Sequence, residues 1–279
     1  MYKILEKTVA STGVNKFVIS APDISKKILP GQFIILRLHE KGERIPITVA
    51  DKNVAEGTIT LYIQEVGKTT IELGRLKSGD SILDVVGPLG IASHIEKFGT
   101  VICIAGGVGT AVIYPIAKAL KEKGNKVITI LGARSKSLII LEDEMKRISD
   151  EFYIATDDGS YGEKGFVSDV LNKIISKSGD IPAANIVYAI GPIPMMKVVS
   201  GITKQHNLKT IVSLNPVMVD GTGMCGACRV TVGGTTRFTC VEGPDFDGHL
   251  VDWAELISRL STFKGKEKES LDHSCKLPK

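Results

Sequence analysis

Three of the five cysteines lie close together near the end of the chain, in a glycine-rich stretch that also contains an aspartate. Asp220, Cys225, Cys228 and Cys240 have the spacing D-x4-C-x2-C-x11-C. This is the ligand spacing of plant-type 2Fe-2S proteins, with aspartate in the first position. A carboxylate is an anionic donor like a thiolate, although a harder one, and can fill that position. The spacing therefore predicts a 2Fe-2S cluster held by these four side chains.

The glycines between these residues have a physical use in such a loop. Gly221, Gly223 and Gly226 can adopt positive φ without steric cost, so the backbone can wrap closely around a cluster. Backbone N–H groups can then face the sulfur atoms and tune the reduction potential.

The same three cysteines also suit a structural zinc ion, which takes three thiolates and one further ligand. Zinc ribbons usually add a second C-x2-C or a histidine pair, and the sequence after Cys228 has neither. The spacing thus favours iron–sulfur, with a zinc-stabilised nucleotide-binding protein without redox activity as the alternative. Cys103 lies in an apolar run and Cys275 near the C-terminus, and we expect both to be structural.

Composition narrows the class of protein further. The 279 residues are 43% hydrophobic, which is enough to bury sizeable cores. The net charge of +4, without a basic run interleaved with aromatic residues, argues against a nucleic-acid partner. The first residues lack the apolar segment of a secretory signal, and five cysteines are too few for a disulfide scaffold. We therefore expect a cytoplasmic protein.

The pattern of elements changes along the chain and predicts an α/β plus all-β protein. Short strands separated by turn residues predict an N-terminal antiparallel β-barrel over 1–98. Strands and helices then alternate over 99–213, which predicts a doubly wound parallel-sheet nucleotide domain. A small loop-rich module carries the cysteines over 214–260, and 261–279 is a polar tail.

The stretch 101–120 is apolar over the length that a membrane span needs. Its three glycines, followed by a proline, instead predict a buried strand, a turn and a helix. No membrane partner is therefore expected. The helix is predicted over 114–123, and further helices are predicted over 141–148, 166–175 and 194–206.

Glycine turns at the ends of predicted strands indicate where a nucleotide could bind, because ligands of open α/β sheets collect at the carboxyl ends of the strands. The first turn allows a pyrophosphate to approach a helix N-terminus and contains Gly106, Gly107, Val108, Gly109 and Thr110. The other candidates follow later strands and are Arg134, Asp157, Asp158, Gly159, Gly191, Pro192 and Met195. The aspartates could accept ribose hydroxyls or simply form a turn, and Arg134 could receive a 2′-phosphate, so NAD versus NADP stays open.

A one-electron cluster beside a nucleotide sheet calls for a flavin, which exchanges both hydrides and single electrons. In the predicted barrel, Arg44 could pair with a phosphate. The segment that follows it could form an edge for the flavin ring and contains Pro46, Ile47 and Thr48. A second segment could contact a pyrophosphate at a helix N-terminus and contains Tyr62, Ile63, Gln64, Gly67, Thr69 and Thr70. A P-loop is excluded because position 62 lacks the required glycine.

Taken in order, these motifs resemble those of a known family. GGVG-x-A-x-x-YP at 106–115, DDGS-x-G-x-KG at 157–165, GP-x-PMMK at 191–197 and the C-terminal cysteine stretch resemble the ferredoxin-reductase-like electron-transfer subunits. The nearest relatives are the electron-transfer subunits of dihydroorotate dehydrogenase and the small (alpha) subunits of NADH-dependent reduced ferredoxin:NADP+ oxidoreductases. The first have cysteine in the first ligand position, whereas the second have aspartate, as here at Asp220.

The resemblance implies FAD in the barrel, NAD(H) in the second domain and a 2Fe-2S cluster in the module. It implies a heterodimer with a larger flavoprotein subunit that holds another FAD, 4Fe-4S clusters and an NADP(H) site. Ferredoxin would then be an indirect partner of this chain, since it exchanges electrons with the larger subunit. The implied activity is electron transfer within an electron-bifurcating NADH-dependent ferredoxin:NADP+ oxidoreductase. An NAD-dependent dihydroorotate dehydrogenase is the alternative. Hydride transfer needs two aligned rings rather than a protein acid or base, so no catalytic side chain is assigned.

Overall fold

The structure is a computed structural model that describes residues 1–176 and 184–275. The last residues of the predicted tail, 276–279, and the side chain of Cys275 lie outside the described residues.

The N-terminal region consists of two antiparallel sheets and two short helices. One sheet has the strand order β5-β6-β2-β1-β7 and the other β4-β3-β8. The strands are β1 Tyr2–Ser11, β2 Val14–Ser20, β3 Phe33–Arg37, β4 Ile45–Thr48, β5 Asp51–Asn53, β6 Thr58–Gln64, β7 Ser81–Ile82 and β8 Asp84–Leu89. The helices are α1 Pro22–Lys27 and α2 Lys68–Arg75.

Both sheets contribute to one apolar core. In β2 and β6, buried and half-buried residues alternate, as expected for strands with one face turned inward. Phe17, Ile34, Leu36 and Leu61 are buried there together. The structure thus confirms the antiparallel all-β region predicted from the short alternating runs.

The second region is a mainly parallel sheet with helices on both faces. Its strand order is β12-β11-β10-β9-β13-β14-β17. The parallel strands are β9 Thr100–Gly106, β10 Lys126–Ala133, β11 Glu151–Thr156, β12 Glu163–Lys164, β13 Ile186–Ile190 and β14 Thr210–Ser213. The helices are α3 Gly109–Glu122, α4 Glu142–Ile148, α5 Val167–Ser176 and α6 Ile193–Gln205, with a 3-10 turn at Lys136–Leu138.

These elements agree with the alternation predicted from sequence, except that α3 begins five residues earlier than the periodicity indicated. The apolar stretch at 101–120 is divided between β9, a glycine turn and α3, as predicted. In the part of the chain that the structure describes, no helix combines the length and the apolar character needed to cross a bilayer.

The direction in which successive strands are added to the sheet reverses between β9 and β13. From β9 the chain winds outward through β10 and β11, and it then returns to place β13 on the other side of β9. Such a switch point leaves a crevice at the carboxyl ends of the two central strands, where ligands of this fold class bind.

The C-terminal region joins this sheet rather than standing apart from it. Its strands are β15 Arg229–Val232, β16 Thr235–Phe238 and β17 Asp245–Asp247. Its helices are α7 Thr239–Glu242, α8 Trp253–Ser261 and α9 Lys264–Cys275. β15 and β16 form a hairpin, and β17 pairs antiparallel with β14 at the sheet edge. The stretch expected to be only a polar tail contains α9, which packs against α2.

Candidate functional site

A cleft of about 910 Å³ opens where the three regions meet. Its volume lies in the range of small-molecule and cofactor sites. The lining includes these residues predicted from sequence: Pro46, Thr48, Gln64, Gly106, Gly107, Val108, Gly109, Arg134, Asp157, Gly191, Pro192 and Met195. The structure therefore brings the candidates from the barrel and from the nucleotide sheet to one site.

At the switch point, the turns after β9 and β13 are in very close contact. A Cβ on Gly109 would lie 2.5 Å from the Ile190 carbonyl oxygen, and one on Gly191 would lie 2.9 Å from the Gly106 nitrogen. A Cβ on Gly106 would meet Met195 Sδ at 2.7 Å. These glycines are required because two backbone segments and a methionine already fill the space.

Gly107 has a different role in the same turn. Its φ is +55°, a conformation that favours glycine, and a Cβ there would meet no atom within 4 Å. Its N–H donates to the Gly132 carbonyl at 2.8 Å. The Thr110 hydroxyl donates to the Gly107 carbonyl at 2.9 Å, so Thr110 is buried in the first turn of α3 and does not line the cleft.

The two neighbouring aspartates after β11 behave differently. Asp157 lines the cleft. The Asp158 carboxylate accepts a hydrogen bond from the Ser160 N–H at 2.9 Å, and this turn, formed with Gly159 at φ +74°, lies away from the cleft. Hydrogen bonds from Ser160 hold the pKa of Asp158 below its usual value. The turn-forming alternative thus describes Asp158 and Gly159, whereas Asp157 keeps the candidate ribose role.

In the barrel strands, successive side chains point to opposite faces, so only some of the candidate residues line the cleft. Pro46 and Thr48 line the cleft, whereas Ile47 between them packs against the barrel core. In β6, Gln64 lines the cleft and Ile63 is buried in the barrel core.

Tyr62 points to the opposite face from Ile63 and packs against the core of the nucleotide sheet. Burial raises its pKa to about 12. Ile47, Ile63 and Tyr62 are therefore packing residues in the structure, and they do not line the cleft.

The candidates for phosphate binding do not line the cleft, and the hydroxyls of the two threonines have partners of their own. Arg44 is exposed. The Thr69 hydroxyl donates to the Glu43 carboxylate at 2.5 Å. The Thr70 hydroxyl accepts the Gly67 N–H at 3.0 Å and so caps α2. The predicted helix N-terminus after Gly67 is confirmed, but its hydroxyls stabilise the barrel itself.

Sequence reasoning missed the part of the lining that comes from distant segments. Phe33 comes from β3, Phe166 from a loop of the nucleotide region and Leu138 from the 3-10 turn. β14 contributes Ser213, and the C-terminal region adds Leu214, Asn215, Met218 and Pro244. The signal for Ser213, Leu214 and Asn215 was their position at the end of a predicted strand, where ligands bind in this fold class.

The cysteine loop, residues 220–228, has the backbone that its glycines predict. The φ angles of Gly221, Gly223 and Gly226 are +75°, +83° and +66°, which confirms the positive-φ expectation. A Cβ on Gly221 would also meet Ile35 Cδ1 at 2.6 Å. The loop is therefore pressed against β3 of the barrel, next to the barrel wall of the cleft.

Two of the thiols meet beneath this loop. Cys228 and Cys240 are buried with Phe33, Ile35 and Met218, and their sulfur atoms are 3.2 Å apart. Both are free cysteines. Burial is the main cause that raises the pKa of Cys240 to about 12, and the neighbouring Cys228 thiol acts in the same direction. A thiol in such surroundings becomes a thiolate when a metal ion binds it.

The other two candidate ligands meet at the surface of the loop. The Thr222 and Cys225 N–H groups donate to the two oxygens of Asp220 at 2.9 and 2.8 Å, and Cys225 is exposed. The Thr222 and Cys225 amides hold the pKa of Asp220 below its usual value. Asp220 is thus an anion over a wide pH range.

The four candidates form two pairs rather than one shell. Within 1–176 and 184–275, no three His, Cys, Asp or Glu side chains stand together around one point where an ion could bind. The pairs Cys228–Cys240 and Asp220–Cys225 nevertheless fit a two-iron cluster, in which the four protein ligands are shared between the irons. The donor set of three free thiols and one carboxylate is anionic, as such a cluster requires.

Two known families match parts of the chain. Residues 215–252 match the iron–sulfur cluster binding domain of dihydroorotate dehydrogenase B. Residues 103–201 match the oxidoreductase NAD-binding domain. The first match contains all four candidate ligands, and the second contains the glycine turn after β9.

Whole-length relatives are similar as well. A Thermotoga maritima protein described as a dihydroorotate dehydrogenase B (NAD(+)) electron transfer subunit homolog is 50% identical over 98% of this chain and 95% of its own length. A probable dihydroorotate dehydrogenase B electron transfer subunit from Pyrococcus furiosus is 38% identical over 90% of this chain and 93% of its own.

The structure is similar to that of an NADH-dependent reduced ferredoxin-NADP oxidoreductase, solved to study flavin-based electron bifurcation. The TM-score is 0.92 and the identity 49%, over 99% of this chain and 98% of the other. A ferredoxin reductase of carbazole 1,9a-dioxygenase has a TM-score of 0.63 at 19% identity, over 74% of this chain and 65% of the other, which shows a shared fold.

Proposed function

The chain belongs to the family of dihydroorotate dehydrogenase B electron-transfer subunits and their homologues, and we therefore propose that it transfers electrons between NAD(H) and a larger flavoprotein partner. It is an oxidoreductase subunit that uses FAD, NAD(H) and a 2Fe-2S cluster. The complex is an electron-bifurcating NADH-dependent ferredoxin:NADP+ oxidoreductase. The partner holds a further FAD, 4Fe-4S clusters and the NADP(H) site, and it serves ferredoxin.

The observation that carries this proposal is the likeness, over nearly the whole chain, to the solved NADH-dependent reduced ferredoxin-NADP oxidoreductase. Asp220 supports it independently, because aspartate in the first ligand position separates that branch from the dihydroorotate branch. The larger partner follows from the relatives, which are described as electron transfer subunits.

We assign the three cofactors to separate parts of the structure. The barrel wall of the cleft, with Pro46, Thr48 and Gln64, would hold the flavin. The turn at Gly107 would receive the NAD(H) pyrophosphate, since its N-terminal position on α3 favours negative charge. Asp157 would accept the adenosine ribose hydroxyls. The flavin supplies exchange between two-electron hydride transfer and one-electron transfer.

The cysteine loop would hold the cluster through the two donor pairs. Its contact with β3, where Ile35 meets Gly221, would keep the cluster beside the flavin-side wall. Close, rigid placement favours electron transfer because little has to reorganise when an electron moves. The chain's own contribution is therefore to orient the cofactors and to keep water from the space between them.

The second candidate function is electron transfer to a dihydroorotate dehydrogenase. The curated relatives favour it by name. The zinc-stabilised alternative has lost its support, because the matched family over 215–252 binds an iron–sulfur cluster.

Anaerobic isolation of the chain tests the proposed cofactors. We expect a visible spectrum with flavin and iron–sulfur bands, acid-labile sulfide, and bleaching of the flavin band by NADH. A colourless protein with stoichiometric zinc would overturn the proposal.

The partner is tested with the complex isolated from the native cell through a tag on this chain. We expect NADPH with NAD+ to reduce ferredoxin and dihydroorotate to have no effect. Reduction of NAD+ by dihydroorotate would assign the complex to the other branch.

A further inference from the structure

A carboxyl group without a role in the proposed function lies just behind the cleft wall. Asp245 begins β17 and faces Ser213 of β14 across the ladder. Its Oδ2 accepts a hydrogen bond from the Ser93 hydroxyl at 2.5 Å. Its Oδ1 is sealed from solvent and has no hydrogen-bond partner in the described part of the chain. A buried oxygen without a partner is costly for an ionised carboxylate and favours a proton at that atom.

The surroundings of Asp245 place its titration near neutrality. Burial raises its pKa to about 6, while the hydroxyls of Ser93 and Ser213 act in the opposite direction. The titratable group that faces it is Tyr188, whose hydroxyl donates to the His94 carbonyl at 2.7 Å. Burial, and then the charge of Asp245, raise the pKa of Tyr188, so this tyrosine stays neutral. No basic side chain of the described residues forms an ion pair with Asp245.

Asp245 is connected to the cleft through its immediate neighbours. Ser213, its partner across the ladder, lines the cleft, and so does Pro244, which precedes it. Phe33 and Thr48, on the flavin-side wall, line the same cleft. Only the Ser213 side chain thus lies between the Asp245 carboxyl and the part of the cleft in which we propose that the flavin binds.

The proposed electron flow leaves a proton to be moved. Oxidation of NADH to NAD+ releases two electrons and one proton, whereas an iron–sulfur cluster accepts electrons alone. Each NADH oxidised therefore leaves one proton in the cleft, and the reverse reaction consumes one. Taking the proton from this space requires a group that changes its protonation state close to neutral pH.

We propose that the Asp245 carboxylate takes up this proton by way of the Ser213 hydroxyl and passes it to solvent, and that it supplies the proton when the flow is reversed. The inference rests on the proposed function, because it requires a flavin in the cleft. The carboxylate becomes a carboxylic acid and returns to carboxylate once per NADH. Ser213 gives and receives a proton in the same step, so it is unchanged.

The test is the pH dependence of the midpoint potential of the bound flavin, measured anaerobically on the purified chain with its cofactors. Reduction adds negative charge to the cleft and raises the pKa of a nearby carboxyl. The wild type should therefore show a steeper fall of the potential with pH above about 6, where Asp245 begins to take up a proton on reduction. In Asp245→Asn this steepening should vanish, and in Asp245→Glu it should return.

Asp247→Asn is the matched control, since Asp247 lies on the same strand and is half-exposed. It should keep the wild-type profile. An unchanged profile in Asp245→Asn would overturn the inference, whereas a chain without any flavin would overturn the proposed function instead.

If Asp245→Asn does not retain flavin, the same measurement on Ser93→Ala tests the inference. It removes a hydrogen bond that lowers the pKa of Asp245, so the onset of the steeper fall should move to higher pH. An onset at the wild-type pH would overturn the inference.

Discussion

The site contains two glycine-rich loops, in which glycines are required for different physical reasons. In the turn after β9, Gly106 and Gly109 have ordinary φ angles but no room for a Cβ, because Met195 and the Ile190 carbonyl are too close. In the cysteine loop, Gly226 has a φ of +66° and a Cβ on it would meet only Phe238 Cε1, at 3.7 Å. Packing therefore requires glycine at positions 106 and 109, whereas backbone conformation requires it at position 226.

The difference teaches what each loop can tolerate. A crowded turn loses its geometry with any side chain, because two backbone segments would have to separate. A loop that needs only positive φ tolerates residues that reach the left-handed region, such as asparagine. The four predictions below separate these two cases, beginning with the largest effect.

Replacement of a buried cysteine that we propose as a cluster ligand should have the largest effect on the cysteine loop. We expect Cys228→Ala to abolish the iron–sulfur absorbance completely, because its sulfur pairs with that of Cys240. Reduction of the flavin by NADH should persist, since the nucleotide turn lies in another region. Visible spectra and anaerobic NADH titration measure both effects. Cys103→Ala, in buried β9, is the control and should keep the cluster; full cluster absorbance in Cys228→Ala would contradict the assignment.

In the turn after β9, Gly109→Ala should disturb the packing against the turn after β13. The new Cβ would lie 2.5 Å from the Ile190 carbonyl, and such overpacking costs roughly 1–3 kcal/mol of unfolding free energy. NADH binding should weaken as the two turns separate, while the cluster spectrum stays.

Urea unfolding and NADH titration measure the effects of Gly109→Ala. The control is Gly201→Ala, in α6 with nothing within 4 Å, which should stabilise the protein by about 0.5–1 kcal/mol. Equal stability of the two variants would show that the turn is not crowded.

At Gly226 of the cysteine loop, the effect of a substitution should come from backbone conformation alone. Gly226→Ala forces alanine into the left-handed region, which costs roughly 1–2 kcal/mol, whereas Gly226→Asn should cost less. Both variants should keep the cluster and NADH binding. Unfolding in urea, with cluster absorbance as the probe, measures this ranking. A smaller cost for alanine than for asparagine would contradict the role of positive φ.

The smallest structural change is Asp220→Cys, which exchanges one anionic ligand for another. We expect the cluster to remain and its midpoint potential to fall, because thiolate donates more electron density than carboxylate. An anaerobic redox titration of the cluster signal measures the change. Asp158→Asn, at a turn away from the cleft, is the control for loss of a surface carboxylate. An unchanged potential in Asp220→Cys would count against ligation by Asp220.

The parts of the molecule that depend on local sequence were predictable. The strand–turn–helix pattern at 101–122 and the positive φ of Gly221, Gly223 and Gly226 follow from residues next to one another in the chain. Asp157 and Asp158 show the limit. Both belong to one motif, and the direction of each side chain, which depends on the tertiary structure, decides that only Asp157 reaches the cleft.

What escaped prediction depends on contacts between distant segments. Thr69 had the right residue type for a phosphate, but Glu43, brought close by folding, already accepts its hydroxyl. Thr70 is a local case, because its hydroxyl accepts the N–H of Gly67 three residues earlier. Pro244 joins the lining beside Ser213 because β17, which follows it, pairs antiparallel with β14. The helix α9 is an exception, because it is rich in lysine and glutamate, whose high helix propensity made it predictable from the local sequence.

The pairing of β17 with β14 also protects the protein from its own copies. An exposed strand at the end of a sheet offers free N–H and C=O groups to another chain, and this is a common route to aggregation. A version of the protein shortened before residue 245 would leave β14 in that state, whatever happened to its cofactors. The segment that follows Cys240 therefore covers the edge of β14 as well as completing the lining of the cleft.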